Sequence, residues 1–394
     1  MIVIVALGVR LLAVRTLTDH PSKDALQYHR IALNQLAGHG HALEPGKPTT
    51  LRPPVYPLFL AGIYALTKAD YQQGLYGQAV INALLVIPLY FLGYRMSGRA
   101  SVGILAALLF AVHTSFEIVT RLYRENIIVV LVVLLLWCLY EGFRDRKIGR
   151  FLAAGGLCGL LGLTNPVFMP LGPVLLGFGL LHTKFRNLLK PLALQALVAV
   201  ILITPWLIRN QMIPDTGQKS LMIRTIYFSY YPAFSGQWWW PVADMDKLEK
   251  IRKQANDFLS DQAVNRDFQS ELREKLLSNP AGVTKLILSR VIILWASPPV
   301  GSSVAKSCSP FLALLALGLQ YCFVLVSLIT MVLKLPNRPE LFGFAAMAVY
   351  LTGVYALTHA VRRYGYPLVP HICLFFSWGV LDLLQHLKTR KNEI

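Results

Sequence analysis

Glu125-Asn126-Ile127-Ile128-Val129-Val130-Leu131-Val132-Val133-Leu134-Leu135-Leu136-Trp137-Cys138-Leu139-Tyr140-Glu141 decides the fold class. The run is apolar from Ile127 to Tyr140 and carries charge only at its ends, close to the roughly 20 residues a membrane-crossing helix needs. Arg121 and Arg124 precede it, and Arg144, Arg146, Lys147 and Arg150 follow it. The pattern recurs along the chain. Further spanning candidates are 75–95, 100–118, 150–163 with 165–181 as a tight hairpin, 190–208, 309–333, 340–358 and 365–385. Composition agrees: 55% of residues are hydrophobic, 15% are charged and mean hydropathy is +0.51. A soluble protein carries about 25% charged residues, so this chain lacks the polar surface to coat the two or three domains its 394 residues would otherwise suggest. Disorder, collagen and coiled coil are excluded on the same grounds. The sequence reads as an all-α, polytopic integral membrane protein.

Its net charge is +18. Basic residues gather in cytoplasmic loops of polytopic proteins, and a phosphate-handling site also needs cations, so no nucleic-acid partner is expected. The basic loops are Arg95 to Arg99, Arg144 to Arg150, Lys184 to Lys190, Lys334 to Arg338 and the tail Lys388 to Lys391. They share one side only if the apolar stretches 53–67 and 283–298 do not cross, which makes both interfacial or re-entrant. Met1 to Val14 is apolar apart from Arg10, shows no cleavage site and is short for a span. The expectation is about ten spans with both termini cytoplasmic. Three regions follow: a catalytic module 1–208 with an outer loop 16–74, an outer, mainly helical segment 209–300 with an interfacial helix, and C-terminal spans with a cytoplasmic tail, 301–394. In the second outer segment, Trp238-Trp239-Trp240 reads as an interfacial anchor or as a platform for a sugar or polyprenyl chain. The glycines of 155–162 have small-xxx-small spacing suited to close helix packing.

Residues capable of chemistry collect on the outer side. In Ser22 to Asn34, apolar Leu26 and Leu33 share one face, so a helix lying in the interface is expected. Asp24 opens it, with Tyr28 one turn on. An acid there complements the helix dipole or serves as a base. Arg52-Pro53-Pro54-Val55-Tyr56-Pro57 places Arg52 and Tyr56 before and in a short half-helix, Arg52 reading as a snorkelling arginine or a phosphate ligand. Arg124 and Glu125 form an ion pair or part of a site. Thr358-His359-Ala360-Val361-Arg362-Arg363-Tyr364 joins His359 and Tyr364 to two arginines suited to a phosphate or diphosphate, against the positive-inside trend. His39-Gly40-His41 lacks a third ligand, the cysteines form no CxxC pair, and no metal site is expected.

Asp24-Ala25-Leu26-Gln27-Tyr28 followed by Arg52-Pro53-Pro54-Val55-Tyr56-Pro57-Leu58-Phe59-Leu60-Ala61 resembles the C-type (GT-C) membrane glycosyltransferases. Within them, the chain resembles the bacterial dolichyl-phosphate-mannose–protein mannosyltransferase and aminoarabinose-transferase group. Arg124-Glu125, Thr164-Asn165-Pro166, Thr204 to Asn210 and Arg363-Tyr364-Gly365-Tyr366-Pro367 follow in that group's order. The resemblance implies inverting transfer of a sugar from a polyprenyl-phosphate donor to a lipid, glycan or protein acceptor, at the outer face of a bacterial inner membrane, without a cofactor. It implies Asp24 as general base, and Arg52, Arg124, Arg362 and Arg363, with Tyr364, as donor-phosphate ligands. Tyr28, Tyr56, Glu125 and His359 are further candidates. The chain departs from the group at Asn165, where an arginine is usual, and in lacking a second acid beside Asp24, which argues against a metal-dependent mechanism. A polytopic transporter or lipid flippase is the rival; it would place ionisable groups at mid-membrane, often in inverted repeats.

Overall fold

The structure, a computed structural model, describes residues 1–18, 21–181, 187–213, 226, 229–230, 262–296 and 309–392. Trp238 to Trp240 and the expected helical stretch up to Asp261 lie outside the described residues.

The first helix, α1 (Ile2–Thr16), precedes the outer loop. In that loop Ser22 caps α2 (Lys23–Leu36), its hydroxyl accepting from the Ala25 N–H at 3.3 Å. A short hairpin, β1 (Ala42–Glu44) with β2 (Lys47–Pro48), leads to α3 (Val55–Leu66). At about 1.5 Å per residue, α3 is near 18 Å long, too short to cross. It packs on α2, as expected of a loop helix.

α4 (Tyr71–Leu84) and α5 (Val86–Ser97) form one span, and α7 (Glu125–Asp145) forms another. α6 (Ala100–Val112) is followed after His113 by a 3-10 turn, Thr114–Thr120, bent away by 51°. Buried Arg10 stabilises that break, donating to the carbonyls of Phe110 and Ala111 that the bend leaves without helical partners. α8 (Ile148–Gly162) and α9 (Leu171–Leu181) form the expected hairpin, and α10 (Leu189–Met212) packs on α8. A Cβ at Gly155 would sit 2.5 Å from the Gln195 carbonyl oxygen, so the small-residue spacing is indeed used for close packing.

α11 (Gln262–Ser278) and α12 (Pro280–Ala296) meet at 95°. Asn279 accepts from the Gly282 N–H at 3.0 Å and Pro280 starts the new helix, a start signal that resets the direction. The chain closes with α13 (Pro310–Lys334), α14 (Phe342–Leu357), a 3-10 segment Arg362–Leu368 and α15 (Val369–Asn392).

The protein is therefore helical, multi-pass and membrane-integral. Among the described residues six helices are long and apolar enough to cross, or eight if each bent pair is one span. Counting the first bent pair but not the second, in keeping with a non-crossing 283–298, gives seven, and the shorter helices Ile2–Thr16, Ile148–Gly162 and Pro166–Leu180 would bring the count to ten.

Candidate active site

Asp24 lies in the first turn of α2, and both its oxygens are occupied by side chains from distant loops. Arg52 Nη2 donates to Oδ1 at 2.6 Å, and Arg363 Nη2 donates to Oδ2 at 3.1 Å. The dipole explanation alone is therefore insufficient. Burial would raise the Asp24 pKa, but the two guanidinium groups outweigh it and hold the carboxyl below its usual range.

Each arginine is itself held. Arg52 also donates to Gln27 Oε1, from Nε at 3.0 Å and from Nη2 at 2.6 Å, and lies 5.1 Å above the Tyr28 ring. Tyr28 meets the buried Tyr56 ring edge-on at 4.8 Å. Backbone contacts fix the approach: the Arg52 carbonyl oxygen lies 2.7 Å from His41 Nε2, and Arg209 donates to the carbonyls of His41 and Thr49. His41 thus acts as a loop pin, and its burial lowers its pKa to about 4. Among the described residues no group of three or more His, Cys, Asp or Glu side chains is arranged to hold a metal ion.

Arg363 lies 4.3 Å from the Tyr123 ring centroid and 5.6 Å from that of Tyr364. Its Nε stands 3.6 Å from Glu125 Oε1, and Arg124 Nε stands 3.9 Å from the same oxygen. Neither distance is a hydrogen bond, and both Glu125 Oε1 and Arg363 Nε are buried without one. Tyr364 stacks on Tyr355 at 4.8 Å, and Asn165 donates to the Tyr355 hydroxyl at 3.2 Å. Asn165 therefore supports the aromatic wall that Tyr355 and Tyr364 form. Gly365 lets the loop close: a Cβ there would lie 2.0 Å from the Leu294 carbonyl oxygen.

Arg363 also borders a cavity of about 580 Å³, which Asp24 does not line. Arg121, Arg362 and Arg363 line it together with Tyr123, His359 and Tyr364. Ile118, Leu294, Val369 and Ile372 supply apolar wall, and the paired His113 and Gln320 supply a polar patch. A cationic group beside an apolar wall suits an amphiphile with an anionic head.

Of the residues singled out in the sequence, Asp24, Arg52, Tyr28, Tyr56, Arg124, Glu125, Arg363 and Tyr364 come together. Arg362 joins through the cavity, His359 both lines it and meets the Tyr364 ring edge-on at 6.0 Å, and Arg52 and Arg124 do not line it. Gln27 and Tyr123, which hold the two arginines on Asp24, carried no assigned role in the sequence.

Residues 51–209 match the family model described as dolichyl-phosphate-mannose-protein mannosyltransferase. The archaeal oligosaccharyltransferase AglB from Archaeoglobus fulgidus, solved with an inhibitory peptide and a dolichol-phosphate, superposes with a TM-score of 0.53 at 14% identity. That alignment covers 100% of this chain and 52% of AglB, so the chain spans about half the length of that protein. The fold is that of the C-type membrane glycosyltransferases. The apo form of the A. fulgidus enzyme gives 0.55 at 13% identity, covering 100% of this chain and 51% of that one. ArnT from Cupriavidus metallidurans, bound to undecaprenyl phosphate, aligns at 16% identity over 96% of this chain and 77% of its own, with a TM-score of 0.46. No curated protein matches the chain. Within this C-type glycosyltransferase fold, the family match contains Arg52, Tyr56, Arg124 and Glu125, whereas Asp24 and Arg363 lie outside it.

Proposed function

We propose that the chain transfers a sugar from a polyprenyl-phosphate donor to an acceptor hydroxyl, with inversion, using Asp24 as base. The observation that carries this is the Arg52–Asp24–Arg363 arrangement, with Arg363 shared between the carboxylate and a cavity that is cationic at one part and apolar at another. The family match over residues 51–209 and the fold support the reaction class. The lipid phosphate lies against Arg362 and Arg363, and the prenyl chain follows the wall of Leu294, Val369 and Ile372.

The acceptor oxygen attacks the anomeric carbon as the bond from that carbon to the phosphate oxygen breaks. The acceptor proton passes to Asp24, and polyprenyl phosphate leaves as an anion. A carboxylate held below the usual range is a weak base towards a free alcohol. Transfer therefore occurs late, when the attacking oxygen has become strongly acidic through bond formation. Charge grows on the leaving phosphate at that moment, so guanidinium groups stabilise the transition state more than the bound donor. The donor phosphate also competes with Asp24 for Arg363, which frees Oδ2 to accept the proton.

In this reading the reaction takes place on the outer face of a bacterial inner membrane. Arg95, Arg99, Arg150 and Lys334 converge on Glu141 and Asp382 at the end of the bundle opposite Asp24, and this supports a cytoplasmic assignment for that end.

Comparing the masses of envelope glycoconjugates from cells with and without this chain tests the function. A product lighter by one sugar without the chain, restored by the wild type and not by Asp24→Asn, is expected. Identical masses in both strains would contradict the proposal.

A further inference from the structure

Beneath the arginines lies a buried polar network that the mechanism above does not use. Gln78 and Asn82 are one turn apart on α4, and neither has accessible surface. Gln78 Oε1 accepts from the Tyr56 hydroxyl at 2.8 Å, and its Nε2 donates to the carbonyls of Val119 and Arg121, both at 2.8 Å. Asn82 Nδ2 donates to Asn126 Oδ1 at 3.1 Å, and Asn82 Oδ1 accepts from the Tyr366 hydroxyl. Asn126 Nδ2 donates in turn to the carbonyls of Ile118 and Tyr123, at 3.2 and 3.0 Å.

Three segments meet this pair, and each carries an arginine of the site a few residues from its contact. Tyr56 follows Arg52, Asn126 follows Arg124, and Tyr366 follows Arg363. The irregular stretch from Ile118 to Tyr123, which bears Arg121 and the Tyr123 ring under Arg363, is held by four of these amide-to-carbonyl bonds. Buried amides in an apolar bundle are costly unless satisfied, and none of these side-chain atoms lacks a partner.

We infer that Gln78 and Asn82 are positioning residues that set the arginines of three separate loops at the spacing the Asp24 site requires. The buried amide pair acts through Tyr56, Asn126 and Tyr366 and touches no substrate. A single hub explains how motifs more than 300 residues apart, Arg52 and Arg363, keep one carboxylate between them. The inference rests on the functional reading of that site.

The test uses purified full-length protein with Asn82→Leu, Asn82→Asp, Arg363→Gln and the Asn82→Leu/Arg363→Gln pair. Asn82→Asp keeps the acceptor for Tyr366 and loses the donor to Asn126, so it serves if the leucine variant does not fold. Leu89→Ala, in buried α5 packing away from the site, is the control for general destabilisation. Titration with undecaprenyl phosphate in detergent should show affinity weakened about tenfold or more by either Asn82 variant and unchanged by Leu89→Ala. The double variant should bind within about twofold of Arg363→Gln alone, because both changes act on one group. Thermal unfolding without lipid should show the same non-additivity. Wild-type affinity in a folded Asn82 variant, or losses that multiply in both readouts, overturns the inference. Failure of the wild type to bind the lipid counts against the donor reading alone, and the unfolding cycle still decides the hub.

Discussion

Helix α7 carries a buried glutamate near each end, Glu125 and Glu141, each with 3% side-chain exposure and each between two arginines. Sixteen residues separate them, about 24 Å along the helix. At the Glu141 end, Arg95 Nε donates at 2.9 Å, Arg150 stands at 3.8 Å, and Arg150 also donates to Asp145 at 2.8 Å. At the Glu125 end the arginines stop at 3.6 and 3.9 Å, and one of them turns to Asp24 and to a cavity. Nearly the same residue types give a closed structural clamp at one end and, at the other, one cation, Arg363, that lines a cavity. Ion-pair chemistry alone does not mark a site; the distinguishing features are an incomplete hydrogen-bond set and adjoining space.

Substitutions at the two ends sharpen the contrast. The largest effect is expected at Asp24. Asp24→Asn should lower turnover per folded molecule about 100- to 10,000-fold, the usual contribution of a general base, measured as sugar transferred by purified protein. Arg363→Gln should follow, with a loss of about 100-fold or more in turnover and weaker donor binding. Lysine there should recover only part, since an ammonium lacks the planar fork that spans Asp24 and a phosphate. Turnover close to wild type in Arg363→Gln would return this arginine to a structural role. At the other end, Glu141→Gln should lower stability by about 1–3 kcal/mol, discounted because Arg95 is 42% exposed, and leave turnover per folded molecule intact. Calorimetry with activity normalised to folded protein separates the two quantities.

The smallest effect is a pH dependence at His41. Burial lowers its folded pKa from 6.5 to about 4. Between those values the unfolded chain takes up a proton that the folded loop refuses, so stability falls as pH drops from 6.5 towards 4. His41→Asn should flatten that limb of the stability profile. An unchanged slope would remove His41 as its source.

Much of this was legible in the sequence. Apolar runs such as Ile127 to Tyr140, repeated along a chain with only 15% charged residues, read as membrane spans, and the prolines around Arg52 forecast the short helix that follows. The sequence motifs gathered Asp24 and the arginines on one outer face without saying which of them reach the carboxylate. Hydropathy carries no direction, so the bend after His113 and the 95° turn at Asn279-Pro280 were invisible in it. Arg362 and Arg363 are adjacent in sequence, yet only Arg363 reaches Asp24, a distinction made by the 3-10 geometry of that segment. Gln78 and Asn82 are two polar residues inside an apolar span, and their role depends on carbonyls 40 or so positions away. His39 and His41, considered for a metal, contribute a loop pin instead through His41.

If the Asp24 end, and not the Glu141 end, holds a lipid phosphate, substitutions at the two ends separate in lipid binding. Equilibrium titration of undecaprenyl phosphate against wild type, Arg363→Gln and Glu141→Gln tests it most directly. Saturable binding to the wild type, about tenfold or greater weakening in Arg363→Gln, and wild-type affinity in Glu141→Gln are expected. Equal affinity in wild type and Arg363→Gln, or weakening confined to Glu141→Gln, would contradict it.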